Sequence, residues 1–172
     1  MPDCHPRNTG AHRRFVHFLL TVAGAAMVGL TSSSCERRDA AALRDVRESL
    51  AAWVDSWNTR DLARIDELFV TDSTVTYFSS ERRGLIRGID AVRDHHVNMG
   101  FLPGGAPAES ELWIDGVTYR GGHEDVVVTA TWYFGDRQAP RDSVQSGPMT
   151  AVYVAMGDGV RIGHMHFSEY VR

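Results

Sequence analysis

The chain has 172 residues, 43% apolar and 23% charged, which is the size and make-up of a single globular domain. Its net charge is −4 and its 18 basic residues are all arginine, a balance that marks no nucleic-acid-binding surface. There are two cysteines, Cys4 and Cys35.

The first residues read as a targeting segment. Arg7, Arg13 and Arg14 make a basic start, Phe15 to Leu30 is an apolar run broken by His17 and Thr21, and the small residues TSSS lead into Cys35. That order is the pattern of an export signal. The run falls short of the roughly 20 residues that span a bilayer. A cysteine directly after such a stretch resembles the lipidation site of a bacterial lipoprotein signal, with Ser32 where that pattern carries an aliphatic residue. Three outcomes stay open: a lipidated Cys35 that tethers the protein to a membrane, simple secretion, and an uncleaved anchor. The expected organisation is an export signal over 1–35, a short linker over 36–40 and one domain over 41–172. Cys4 leaves with the signal, so the mature domain has no internal disulfide and rests on its core. The 15 basic and 21 acidic residues that remain give about −6, with no basic patch for anionic lipid. The protein is expected outside the cytoplasm, as a membrane-anchored lipoprotein or free in the periplasm or medium.

The segment from Glu36 to Phe69 is helical in pattern. Leu43, Val46, Leu50, Trp53 (or Val54) and Trp57 recur at three- and four-residue steps. Asn58-Thr59 breaks this stripe, and Asp61 can cap a second helix carrying Leu62, Ile65, Leu68 and Phe69. STVTYFSS reads as a short strand. The chain then turns at Gly88 and continues as a third helix through Val92, His95 and His96. Four runs rich in Val, Thr and aromatics follow, separated by Gly, Asp and Pro, with hairpin turns at Gly121-Gly122 and Gly157-Asp158-Gly159. Helices first and an antiparallel meander after is the logic of an α+β fold.

Three strings carry a family resemblance: WVDSWNTRDLARIDELFVTDSTVTY, RGIDAVRDHH and GVRIGHMHFSEY. In order and spacing they resemble the nuclear transport factor 2-like superfamily, in particular its SnoaL-like branch. The closing string also resembles the association domain of calcium/calmodulin-dependent kinase. The resemblance spans roughly Ala40 to Tyr170. It implies a cone: a curved antiparallel sheet closed by three helices, with a pocket inside and a convex face through which members commonly form homodimers.

The superfamily includes ketosteroid isomerase-like enzymes, whose chemistry needs a carboxylate base and two acidic donors. By the resemblance the donors fall at Trp53 and near Ala151, and the base falls at Tyr77. An indole is a poor acid, a phenol is a poor base at neutral pH, and alanine supplies neither. Steroid isomerisation is therefore not expected. A dehydratase-like reading, a cofactor-independent lyase or isomerase, would use Tyr77 with His95 or His96 as acid/base groups. Neighbouring helix positions point about 100° apart, so one of the two histidines is expected to face inward.

His164 and His166 share one face of the last strand, and Met165 and Phe167 the other. By the resemblance Phe167 points into the cone, so Met165 and Phe167 line the pocket while the two histidines lie on the convex face. A metal there would need a third ligand such as His123; no metal and no cofactor are expected. The expected pocket comprises Trp53, Trp57, Phe69, Tyr77, Val92, Tyr153, Met165 and Phe167. The leading expectation is an exported domain that binds a small apolar or aromatic molecule in this pocket. An enzyme and a purely structural homodimer with a filled pocket are the alternatives.

Overall fold

A computed structural model describes residues 28–171. The basic start and most of the apolar run that read as an export signal lie outside the described residues. The elements are α1 (Val28–Thr59), α2 (Ala63–Leu68), β1 (Thr76–Phe78), β2 (Ile86–Arg87), α3 (Ile89–Asn98), β3 (Glu111–Gly121), β4 (Asp125–Gly135), β5 (Gln145–Met156) and β6 (Gly159–Phe167). The six strands form one sheet in the order β2-β1-β6-β5-β4-β3. All neighbours are antiparallel except β1 and β6, which run parallel, with Tyr77 opposite Met165.

The stripe on α1 does what its spacing dictates. Val46, Leu50 and Trp53 are buried, and the helix packs on α2, β3, β4 and β6. Residues 36–40, read from sequence as a linker, are instead a turn and more of α1. Glu36, the two arginines and Ala40 favour helix, and Asp39 pins this turn to the β3–β4 hairpin. Its carboxylate accepts the His123 backbone N–H at 2.9 Å and lies 3.5 Å from the His123 ring. Cys35 is half-buried within the same helix. No helix among the described residues is long and apolar enough to cross a membrane.

The end of α1 is fastened by side chains. The Asn58 amide copies a strand neighbour, accepting the Leu112 N–H at 2.7 Å and donating to its carbonyl at 3.1 Å. Asp61 accepts the N–H of Ala63 in the first turn of α2 and that of Gly104.

The helices cover one face of the sheet, and alternate strand residues point into that layer. Val126, Val128, Ala130 and Trp132 do so from β4, and Met149, Ala151 and Tyr153 from β5. On β6 the inward set is Ile162, Met165 and Phe167, a step of three and then two. The register explains it: Tyr153 pairs with Ile162 and Val152 with His164, so Gly163 is an extra residue in a β-bulge. A second irregularity in β3 between Asp115 and Thr118 sits at Gly116, whose φ is +64°.

Candidate functional site

The side chains with acid/base or hydrogen-bonding capacity gather where α1, α3 and β1 meet. Gly88, at φ +82°, turns the chain from β2 into α3. Both histidines at the far end of α3 are then buried, His95 at 5% exposure and His96 at 0%. This differs from the expectation of one inward histidine. The helix end is covered on two sides, so directions about 100° apart both meet protein. His96 packs among Trp57, Phe69, Tyr77 and Phe101, at ring-centroid distances between 4.9 and 5.9 Å. His95 lies against Tyr77 at 5.3 Å.

The protonation states follow from this packing. His96 Nδ1 donates to the Val92 carbonyl at 2.8 Å, which leaves Nε2 as an acceptor. Burial lowers its pKa to about 4, and His95 and Arg60 nearby push the same way. His95 is also lowered, by burial and by Arg82. Burial, with a contribution from Glu81, pushes the Tyr77 phenol well above its ordinary range. At neutral pH all three groups are therefore uncharged. The buried polar side chains of the described core are Ser56, His95 and His96, and the carboxylate that borders the site, Glu81, is exposed.

Four buried polar atoms in this one aromatic cluster have no protein partner: Nε1 of Trp53 and of Trp57, and Nε2 of His95 and of His96. The rings are continuous. Trp53 meets Trp57 at 6.5 Å and stacks on Phe167 at 5.4 Å, and Phe167 meets Tyr77 at 5.9 Å. Buried polar groups in proteins are nearly always hydrogen-bonded, so two indole donors, the His96 Nε2 acceptor and a His95 nitrogen that serves as either, left open together, call for a bound partner, water or ligand.

A cavity of about 40 Å³ opens beside the cluster, walled by Trp57, Tyr77, Trp132, Phe134 and Phe167, with the loop residues Ser79–Glu81 on one side. It has room for a few waters and is well under the roughly 300–1,000 Å³ of a drug-sized ligand site. Of the residues expected to line a pocket, Trp57, Tyr77 and Phe167 do so. Trp53, Phe69, Val92, Tyr153 and Met165 lie in the surrounding core. Trp132 and Phe134 were not anticipated, although their alternation with Val126 and Val128 carries the signal. Phe101 sits in a loop and gave none. Trp132 is fixed by its indole N–H donating to the Ser168 carbonyl at 2.9 Å.

The other histidine pair lies on the opposite face. His164 Nδ1 is 2.8 Å from the Thr76 hydroxyl, and His166 Nε2 is 3.0 Å from the Ser168 hydroxyl. Phe78, 39% exposed, packs on both rings. No group of three metal-ligating side chains occurs among the described residues, and His123 is engaged with Asp39 instead.

Solved structures share this architecture. A nuclear transport factor 2-like superfamily protein from Salmonella enterica is 18% identical, with a TM-score of 0.60 over 75% of this chain and 91% of that one. The chain has the nuclear transport factor 2-like fold. A candidate dehydratase of this fold from Streptomyces avermitilis is 14% identical, with a TM-score of 0.61 over 76% and 98% of the two chains. A candidate ketosteroid isomerase from Parabacteroides distasonis is 21% identical, with a TM-score of 0.55 over 70% and 84%. No protein-family model matches the sequence, and no curated protein matches it. At these identities the likeness is one of fold, and the nuclear transport factor 2-like fold hosts unrelated chemistries.

Proposed function

We propose that this domain binds a small, largely apolar or aromatic molecule inside the cone, with the polar part of the ligand meeting the open indole and imidazole nitrogens. The observation that carries this reading is the convergence of four unpartnered buried polar atoms on one aromatic cluster beside a cavity. The resting cavity is smaller than such a ligand, so binding displaces part of its wall. The loop Ser79–Glu81 and the half-buried Met99 and Phe134 are the parts least held by the core. Native mass spectrometry of the protein from its own host's membrane fraction tests the proposal. A bound small molecule is the expected result. An empty protein that also takes up none of a panel of small aromatic compounds overturns it.

A second reading is favoured by one further observation: Tyr77, His95 and His96 meet ring against ring. A neutral imidazole beside a phenol can move a proton without metal or cofactor, and fold neighbours include a candidate dehydratase. In this reading the protein is a lyase or isomerase. Turnover of the bound compound that disappears in both Tyr77→Phe and His96→Gln, with folding retained, would establish it. Turnover that survives both variants would exclude these groups.

The export pattern and Cys35 support a membrane-tethered, lipidated form, and the open face around Phe78, His164 and His166 supports a homodimer. The denatured mass reads an acyl addition at Cys35, and the native mass reads the dimer. An unmodified Cys35 or a monomer at micromolar concentration counts against the respective proposal.

A further inference from the structure

Arg60 is placed against its backbone preference. It is the first residue beyond α1, its N–H closes on the Ser56 carbonyl at 2.9 Å, and its φ is +54°. It is the sole non-glycine residue with positive φ among the described residues. A left-handed helix stop of this kind is normally glycine or asparagine, because a side chain there is strained. The side chain that is tolerated here is a cation drawn in against aromatics. Its guanidinium lies 5.4 Å from the Trp57 ring, 5.6 Å from Phe101 and 5.4 Å from Phe134.

The guanidinium is also left without a counter-charge. Arg93 and Arg161, similarly drawn in, bind Asp66 with Asp90 and Asp158 respectively. Arg60 donates once, to the Met99 carbonyl at 2.7 Å, and forms no ion pair with a described carboxylate. Burial lowers its pKa and no acidic neighbour offsets the effect. A guanidinium has five N–H donors, so most of its fork is uncommitted. It faces a cleft of about 310 Å³ whose wall includes Met99, Ser110 and Phe134. Glu109 also borders this cleft but is exposed and does not pair with Arg60. Met99 and Phe134 line the inner cavity as well, so two side chains separate the cation from the aromatic interior.

We infer that the ligand is a small organic acid with a planar aromatic or unsaturated body, its carboxylate on the fork of Arg60 and its body in the cavity past Met99 and Phe134. The inference rests on the ligand-binding reading above and adds the charge of the ligand and the residue that reads it. Cation, flanking rings and apolar interior match the three parts of such a molecule: bidentate carboxylate recognition is the particular strength of arginine.

Benzoate and benzyl alcohol, nearly equal in size and different in charge, separate the two readings. Tryptophan fluorescence and amide chemical shifts are followed as each is titrated into the wild type and into Arg60→Gly and Arg60→Gln. Arg60→Gly relieves the positive φ, which offsets the loss of the ring and Met99 contacts, and thermal melts of both variants check that the fold is kept. Benzoate is expected to bind wild type at least ten-fold more tightly than benzyl alcohol, with an affinity that falls as salt is added. In both variants the preference should collapse to about one while benzyl alcohol binding is kept. Equal binding of the two probes to wild type, or a benzoate preference that survives Arg60→Gly, overturns the inference and leaves the ligand-binding reading standing. Binding of neither probe overturns the inference, and the ligand-binding reading is then decided by the native mass and the wider panel.

Discussion

The molecule carries two pairs of histidines on opposite faces of one sheet, and their difference separates what is built to hold something from what is built to stay put. His164 and His166 stand on alternate positions of a strand, face the open side and each meet a hydroxyl, from Thr76 and Ser168. His95 and His96 stand side by side on a helix, are enclosed by aromatic rings and each keep Nε2 unpartnered. The outer pair is satisfied where water could have satisfied it. The inner pair is left open where water is scarce, the more costly arrangement.

The largest test of this contrast removes the wall of the inner cluster. Trp53→Ala deletes a fully buried ring stacked on Phe167. It should cost roughly 3–5 kcal/mol in a denaturant titration. A loss below about 1 kcal/mol would mean the cluster is loosely packed.

Acid comes next. His96 titrates near 4 in the fold and near 6.5 when unfolded, with His95 and Arg60 beside it opposing the charge and Tyr77 neutral against its ring. Between those values the unfolded chain binds the extra proton. Stability is therefore full above pH 6.5 and is lost as pH falls toward 4, by on the order of 3 kcal/mol. His95 shifts in the same direction and adds to the slope. His96→Phe should flatten the denaturation midpoint between pH 4.5 and 7.5. An unchanged slope would place its source elsewhere.

Tyr77→Phe sharpens the contrast further. Its ring packing is retained, so stability should change by no more than about 1 kcal/mol. Binding of a hydroxylated or carbonyl ligand, read by fluorescence, should weaken several-fold. The smallest effect belongs to the outer pair. His166→Ala removes an exposed bond to Ser168 and should shift stability by less than about 0.5 kcal/mol, while weakening any dimer seen by sedimentation.

Much of this was legible in the sequence, and what was not has physical reasons. The α1 stripe, and the placing of Met165 and Phe167 on one face of β6, follow from periods of 3.6 and 2, which local sequence records; that this face points inward came from the family resemblance. The strand β2 is two residues long, too short to leave a period. The Gly163 bulge breaks alternation without any change in composition. The burial of both α3 histidines depends on Phe101 and Tyr77, which the fold brings from either side of the helix in sequence. Arg60 gave no signal at all: its unusual φ and its three rings exist only once α1 ends against the loop at Met99 and the end of β4.

The parallel pairing of β1 with β6 joins residues 88 positions apart, Thr76 with His164. The strand that β1 needs is thus the last one made. Until it arrives, β1 and β2 have no sheet to join, and the helices lack part of the floor they cover. Closing so long a loop is slow relative to local contacts. Pairing of β1 therefore waits for β6, whereas the β3–β4 and β4–β5 hairpins join neighbouring segments and can form without it.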